Sequence, residues 1–233
     1  MIYAFIPARS GSKRLKDKNY LMLKDKRLFE WSIECANNTK KIEKIIFSTD
    51  SNKYIEYAKS IRLDKELIID YRSDLNSSSE IKIFDYLKSD FIKNNTYLNE
   101  KDSLLMLLPT QPFRVNKDID EIIKLGEKTK KNVFSSREYS FHVSFAFKFL
   151  ENGQFESLLK DSPMKTGNTR SQEQTKYYHP DGSVYFLNMT SLMNDSGPSI
   201  YINAIPFKSS SKYFIDIDDQ SDLEYARFIA DLF

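Results

Sequence analysis

Short apolar runs alternate with stretches of helical periodicity along most of the chain, and this rhythm predicts a mainly parallel sheet with helices on both faces. Ile2 to Ile6 reads as a first strand, followed by a polar, basic loop and a helix through Leu28 to Ala36. Lys44 to Thr49 reads as a second strand, a helix follows around Tyr54 to Lys59, and Leu67 to Ile69 reads as a short third strand. Ile81, Phe84, Leu87, Lys88, Phe91 and Ile92 fall at amphipathic helical spacing, closed by Asn94-Asn95. Ser103 to Leu108 is an apolar strand broken by Pro109, and Ile119, Ile122 and Ile123 mark the next helix. The rhythm changes from Ser136 to Lys176: aromatics alternate with smaller residues from Phe141 to Leu150, Gly153 marks a hairpin-like turn, and Asp161 to Lys176 is almost wholly polar. Ser183 to Asn188 and Tyr213 to Ile217 read as returning strands, and a capping box of Ser221 with Glu224 predicts the final helix. The expectation is one α/β domain over residues 1–233, with a doubly wound, mostly parallel sheet and an insertion at about 136–176. Such an insertion suits a substrate lid or a subunit contact.

Composition narrows the partners more than the fold. Lys and Arg total 35 against 33 Asp and Glu, so the net charge of +2 gives no electrostatic reason to expect nucleic-acid binding. No run approaches the roughly 18 apolar residues of a membrane span. The opening Met1 to Pro7 turns cationic only after its apolar run, the reverse of a signal peptide, so the expected compartment is the cytoplasm. The single Cys35 excludes an intramolecular disulfide, and its spacing with Leu28, Trp31, Ser32 and Ala36 is that of a buried helix face rather than of a nucleophile. His142 and His179 lack metal-ligand spacing, and no nucleophilic triad is signalled locally.

In open parallel sheets, ligands bind beyond the carboxyl ends of the strands, and four chemistry-bearing segments fall there. Pro7 to Asn19 is small and basic: its small residues let backbone N–H groups approach an anion closely, and five cations in the eleven positions from Arg9 to Asn19 supply charge. It is not a Walker A loop, because the second glycine and the Gly-Lys-Ser/Thr ending are missing. The other segments are Ser48-Thr49-Asp50, the proline-stiffened Pro109 to Arg114 with Thr110 and Gln111, and Asp216-Ile217-Asp218. Asp216 and Asp218 share one face of an extended segment, which suits Mg²⁺, although acids before a helix also favour its macrodipole.

On these residues the chain resembles the CMP-acylneuraminate synthetase family of cytidylyltransferases, which activates sialic, pseudaminic and legionaminic acids, and the resemblance runs over nearly the whole length. The family opening A-R-x-G-S-K-R-x-x-x-K-N stands here as Ala8 to Asn19, its S-T-D as Ser48 to Asp50, and its L-Q-P-T-S-P-x-R loop as Leu107 to Arg114. Its R-x-Q and N-G-x-x-Y appear as Arg170 to Gln172 and Asp181 to Tyr185, and its closing D-I-D-x-x-x-D-L as Asp216 to Leu223. The chain departs from the pattern at Leu108 for glutamine, Gln111 for serine, Lys16-Asp17 for Pro-Gly, Asp181 for asparagine and His142-Val143 for His-Pro.

The resemblance implies a protruding dimerisation segment and a homodimer. It implies that Arg9, Ser12 and Lys18 handle the CTP triphosphate, with Ala8, Gly11, Asn19 and Arg72 about the nucleotide. It further implies that Asp216 and Asp218 hold Mg²⁺, and that Gln111, Arg170, Gln172 and Tyr185 address an acidic nine-carbon sugar. Three alternatives stay open: an eight-carbon keto-acid sugar as acceptor, a phosphorylated metabolite of a surface polymer, or a catalytically silent nucleotide-binding protein on the same fold. Local sequence assigns no general base.

Overall fold

Strands buried on both faces are apolar at every position, and β1 (Ile2–Pro7) shows the consequence. Its even residues Ile2, Ala4 and Ile6 enter one core, while Tyr3 and Phe5 enter the core on the opposite face. The same division holds for β4 (Lys44–Thr49), with Ile45 and Phe47 on one side and Ile46 on the other, and for β6 (Ser103–Leu107). A computed structural model describes residues 1–77, 81–194 and 199–232. In chain order the remaining strands are β2 (Met22–Leu23), β3 (Lys26–Arg27), β5 (Glu66–Tyr71), β7 (Val133–Glu138), β8 (Phe147–Phe149), β9 (Phe155–Ser157), β10 (Tyr178–Asn188) and β11 (Ile205–Lys208). They form a seven-stranded sheet in the order β11-β7-β10-β6-β1-β4-β5 and two small hairpins, β2-β3 and β8-β9. β1 lies parallel to β4 and β6, and β4 parallel to β5, whereas β10 runs antiparallel to β6. The doubly wound, mostly parallel expectation is met.

The chain divides into two compact units, residues 1–135 with 181–233, and Ser136–Pro180. In the first, helices cover both faces of the sheet. Leu28–Asn38 buries Leu28, Phe29, Ser32, Ile33 and Ala36, so Trp31 and Cys35 stand at the edge of its buried stripe rather than at its centre. Helix Asn116–Thr129 lies so close to β10 that a Cβ on Gly126 would stand 2.2 Å from the Phe186 ring, which only glycine avoids. The helical run Ile83–Asn94 contains a π turn at Leu87–Phe91 and ends where buried Asn95 donates to the Phe91 carbonyl. In the second unit, β8 and β9 pair with Phe149 opposite Phe155, and Gly153 turns the hairpin at φ +80°.

Two local expectations fail, and two strands carry no sequence signal. Tyr213 to Ile217 is not a strand: its alternation is real, but Ile217 spends its N–H on the Thr110 carbonyl at 3.0 Å, crossing the strand ends instead of joining the ladder. The sequence pattern does not predict β7 or β11, because polar residues in Val133–Glu138 and a proline in Ile205–Lys208 blur it. The last helix, Gln220–Ala230, is capped by Asp219 with Asp222 rather than by Ser221 with Glu224. Asp219 accepts from the Asp222 N–H, and Asp222 accepts in turn from the Asp219 N–H. Ser78 and Ser79 of the short serine tract fall outside the described residues. Among the described residues, no helix is long and apolar enough to cross a membrane.

Candidate active site

Four parallel strands deliver their carboxyl ends to one edge of the sheet, and the loops that follow build a cleft there. The loop after β1 is tied down before it meets any ligand. Buried Ala8 donates its N–H to the Ser48 carbonyl at 2.8 Å and accepts from Thr49 Oγ1 at 2.6 Å. Ser10 donates through N and Oγ to the two Asp50 oxygens at 2.8 and 3.1 Å, and buried Asn19 donates to the Arg9 carbonyl at 2.9 Å. Ser48-Thr49-Asp50 and Asn19 thus hold the loop in shape, a role that short-range sequence does not signal. Among the described residues, no atom stands within 4 Å of where a Cβ on Gly11 would be.

Arg9, Ser12, Lys18, Asn19 and Arg72 all line this cleft of about 260 Å³, with Leu108 and Thr110 opposite. A second hollow lined by Arg14 and Asp218 shares Arg9, Ser12 and Lys18 with it. Arg72 is the most enclosed of these cations. Its Nη2 donates to the Ser48 carbonyl at 3.3 Å, its guanidinium lies 5.8 Å from the Tyr86 ring centroid, and burial lowers its pKa. Its Nε has no partner among the described residues. Behind it, buried Asp70 accepts from Ser48 Oγ, from the Tyr86 hydroxyl at 2.8 Å and from Asn95 Nδ2 at 3.2 Å. Rigid neighbours of this kind keep a desolvated cation from swinging away.

The acidic side of the site depends on Ile217. That side chain is buried with Leu23, Leu28, Leu223 and Ala226, so the residues on either side of it, Asp216 and Asp218, turn outward. Asp216 reaches solvent, yet desolvation by surrounding protein raises its carboxyl pKa; Thr110 hydrogen bonding opposes the rise and the charge of Asp218 adds to it. For Asp218, partial burial also favours the neutral acid, but hydrogen bonds and charge from Lys18 and Arg14 prevail and hold the carboxyl below its ordinary range. Among the described residues, no third His, Cys, Asp or Glu joins them in a metal-binding group. Two carboxylates with further positions left to phosphate and water are what Mg²⁺ takes. The mutual repulsion of the two acids, felt at Asp216, is what a divalent cation relieves, so the pair fits such an ion.

Other expected contacts lie elsewhere. Gln111 is buried, its Nε2 beside Gly182 and without a partner among the described residues. The Tyr185 side chain is buried in the core, its hydroxyl 3.3 Å from that of Tyr201, and burial with this contact raises its pKa. Neither lines the cleft, because the alternation of β10 turns Tyr185 into the sheet's second core and the rigid loop turns Gln111 inward. Arg170 and Gln172 belong to the second unit, where both are exposed and Arg170 pairs with Glu173 at 3.2 Å.

Two further residues of the site carry no local signal in the sequence. Arg14 bonds Asp218 at 2.7 Å; its position in a run of basic residues concealed which one would do so. Partly buried Arg114 pins the Pro109–Arg114 loop, donating to the carbonyls of Ser183 and Leu108 and to Ser32 Oγ, and desolvation by the surrounding protein pushes its pKa down to about 10.

A family profile described as cytidylyltransferase matches residues 3–227 of this chain. The N-acylneuraminate cytidylyltransferase of Escherichia coli O18:K1:H7 is 32% identical over 97% of this chain, which spans only 51% of that longer protein. The pseudaminic acid cytidylyltransferase of Campylobacter jejuni serotype O:2 is 30% identical, with 96% of this chain and 94% of the relative covered. Among solved structures, a CMP:2-keto-3-deoxy-manno-octonic acid synthetase complexed with CTP superposes with a TM-score of 0.70, covering 99% and 98% of the two chains at 15% identity. That last likeness concerns the fold alone.

Proposed function

The chain belongs to the cytidylyltransferase family, and on that premise we propose that it joins CMP from CTP to the anomeric hydroxyl of an acidic nine-carbon sugar, releasing pyrophosphate. The observation that carries the reading is the meeting of Arg9, Lys18 and Arg72 in one cleft at the strand ends, with Asp218 in the adjoining hollow bonded to Lys18 and Asp216 hydrogen-bonded to Thr110 of the cleft wall. The sugar hydroxyl attacks the α-phosphorus in line. A new P–O bond forms, the bond to the β-phosphate bridge breaks, and its electron pair leaves with pyrophosphate; the hydroxyl proton passes to a base that these residues do not identify. Arg9, Lys18 and Arg72 bind the phosphates and offset their charge, and the fixed loop spares the reacting groups the entropy of finding alignment. Asp216 and Asp218 would hold Mg²⁺, which when bound neutralises phosphate charge. Acceptors named for the sequence relatives are nine-carbon acids, which favours such a sugar over the eight-carbon and phosphorylated alternatives. The single cysteine and a CTP substrate suit the cytoplasm.

Pyrophosphate release from CTP, measured across a panel of acidic sugars, is expected with at least one nonulosonic acid. Turnover confined to eight-carbon or phosphorylated acceptors would reject the proposed acceptor class, and none at all would favour a silent protein. In the same assay we assign the sugar carboxylate to Arg170, because a planar guanidinium grips a carboxylate through two hydrogen bonds. Arg170→Ala should raise the KM for the sugar about tenfold or more while the KM for CTP moves less than about twofold, the loss of one charge-assisted contact. Equal shifts in both constants would remove Arg170 from the sugar's recognition.

Self-association is assigned to the second unit. Phe149 is 82% exposed on a hairpin that also leaves Phe147 and Phe155 open, an apolar face that a second copy of this chain would cover. Sedimentation should show a dimer for the native chain and a monomer for Phe149→Asp; an unchanged dimer would place the contact elsewhere.

A further inference from the structure

Asp218 already has two cations on it. Its Oδ1 accepts from Lys18 Nζ and its Oδ2 from Arg14 Nη2, each at 2.7 Å. A divalent ion cannot take a carboxylate oxygen flanked so closely by two positive groups without displacing one, since like charges at a few ångströms repel strongly in a partly buried setting. The two cations are not equally free to leave. Lys18 is 12% exposed and stands on the short turn Lys18–Tyr20, entered through the left-handed Asp17. Arg14 is 68% exposed and extends from the irregular part of the loop, with a long side chain that solvent can receive.

We propose that Arg14 is a displaceable counter-ion, which holds the metal-binding carboxylate of Asp218 in the free protein and yields it when a divalent cation arrives. This rests on the assignment of Asp216 and Asp218 to a metal. Lys18 stays in place, and the carboxylate turns only one of its oxygens over to the ion. The released guanidinium remains at the rim that Arg14 shares with Arg9, Ser12 and Lys18, where nucleotide phosphates offer it a bidentate partner. The pair therefore disfavours metal entry ahead of the nucleotide, and it keeps the carboxylate oriented until both are present.

Mn²⁺ binding to the nucleotide-free protein, followed by the loss of the free-ion paramagnetic resonance signal, tests this without any turnover. Arg14→Ala should tighten Mn²⁺ binding about fivefold, the scale of one half-exposed ion pair. Lys13→Ala removes the same charge from the same loop and should change it less than about twofold, since diffuse charge is screened. Equal affinities for Arg14→Ala and the native protein, or equal tightening by both variants, would overturn the proposal. Asp218→Asn supplies the separate check on the premise: it should weaken Mn²⁺ binding at least about tenfold, as a charged ligand is lost. If Mn²⁺ binds Asp218→Asn as it binds the native chain, the metal assignment itself is wrong and the counter-ion role falls with it.

Discussion

Asp216→Asn and Asp218→Asn are each expected to lower kcat by at least ~100-fold, roughly 2.7 kcal/mol of transition-state stabilisation, while the protein remains folded. Asparagine keeps the shape and the outward direction that Ile217 imposes, so the change is one of charge rather than of packing. The two substitutions should differ in kind. At position 216 the loss removes a ligand that interacts mainly with Thr110 and its acidic neighbour. At position 218 it also removes the carboxylate that fixes Lys18 and Arg14, so the triphosphate side of the cleft should loosen as well. Steady-state rates over a range of Mg²⁺ concentrations, with thermal melts as the control for folding, measure both effects. Native rates in EDTA, or in both variants, would end the metal assignment.

Removal of Lys18 is expected to be nearly as damaging. Its ammonium is mostly enclosed and joins the acidic side of the site to the phosphate cleft, bonding Asp218 while lining both hollows. Loss of a hydrogen bond from a charged group costs about 1.5–3 kcal/mol, so Lys18→Ala should reduce kcat/KM for CTP roughly 10- to 150-fold. Arg9→Ala should fall in the same range. Isothermal titration with CTP and initial rates at varied CTP separate binding from turnover. Should both variants bind and use CTP as the native chain does, the loop after β1 would be a solvated basic turn and nothing more.

The sequence by itself determined the periodic core and the chemistry placed at strand ends. Runs such as Ile2 to Ile6 and Lys44 to Thr49 are buried on both faces, so each residue carries the signal and the strands are legible without neighbours. The basic loop after β1 and the Asp216–Asp218 pair were legible too, because a loop after a parallel strand and an i, i+2 pair of acids are local patterns, whereas only the family resemblance distinguished Arg9 and Lys18 within that loop. Tertiary structure alone decided the rest, since those features depend on partners far along the chain. Arg14 acquires its meaning from Asp218 and Asp50 from Ser10. Arg72, which only the family resemblance put near the nucleotide, is held at the cleft by Ser48 and Tyr86, with Asp70 behind. The extended segment Tyr213 to Ile217 illustrates the limit most plainly. Its alternation predicts a strand, but whether an extended chain pairs depends on what lies beside it, and here the Thr110 carbonyl does. Gln111 and Tyr185 follow the same rule: residue type suggested a sugar contact for the first and the family resemblance implied one for the second, while Gln111 is buried and strand alternation turns Tyr185 into the core.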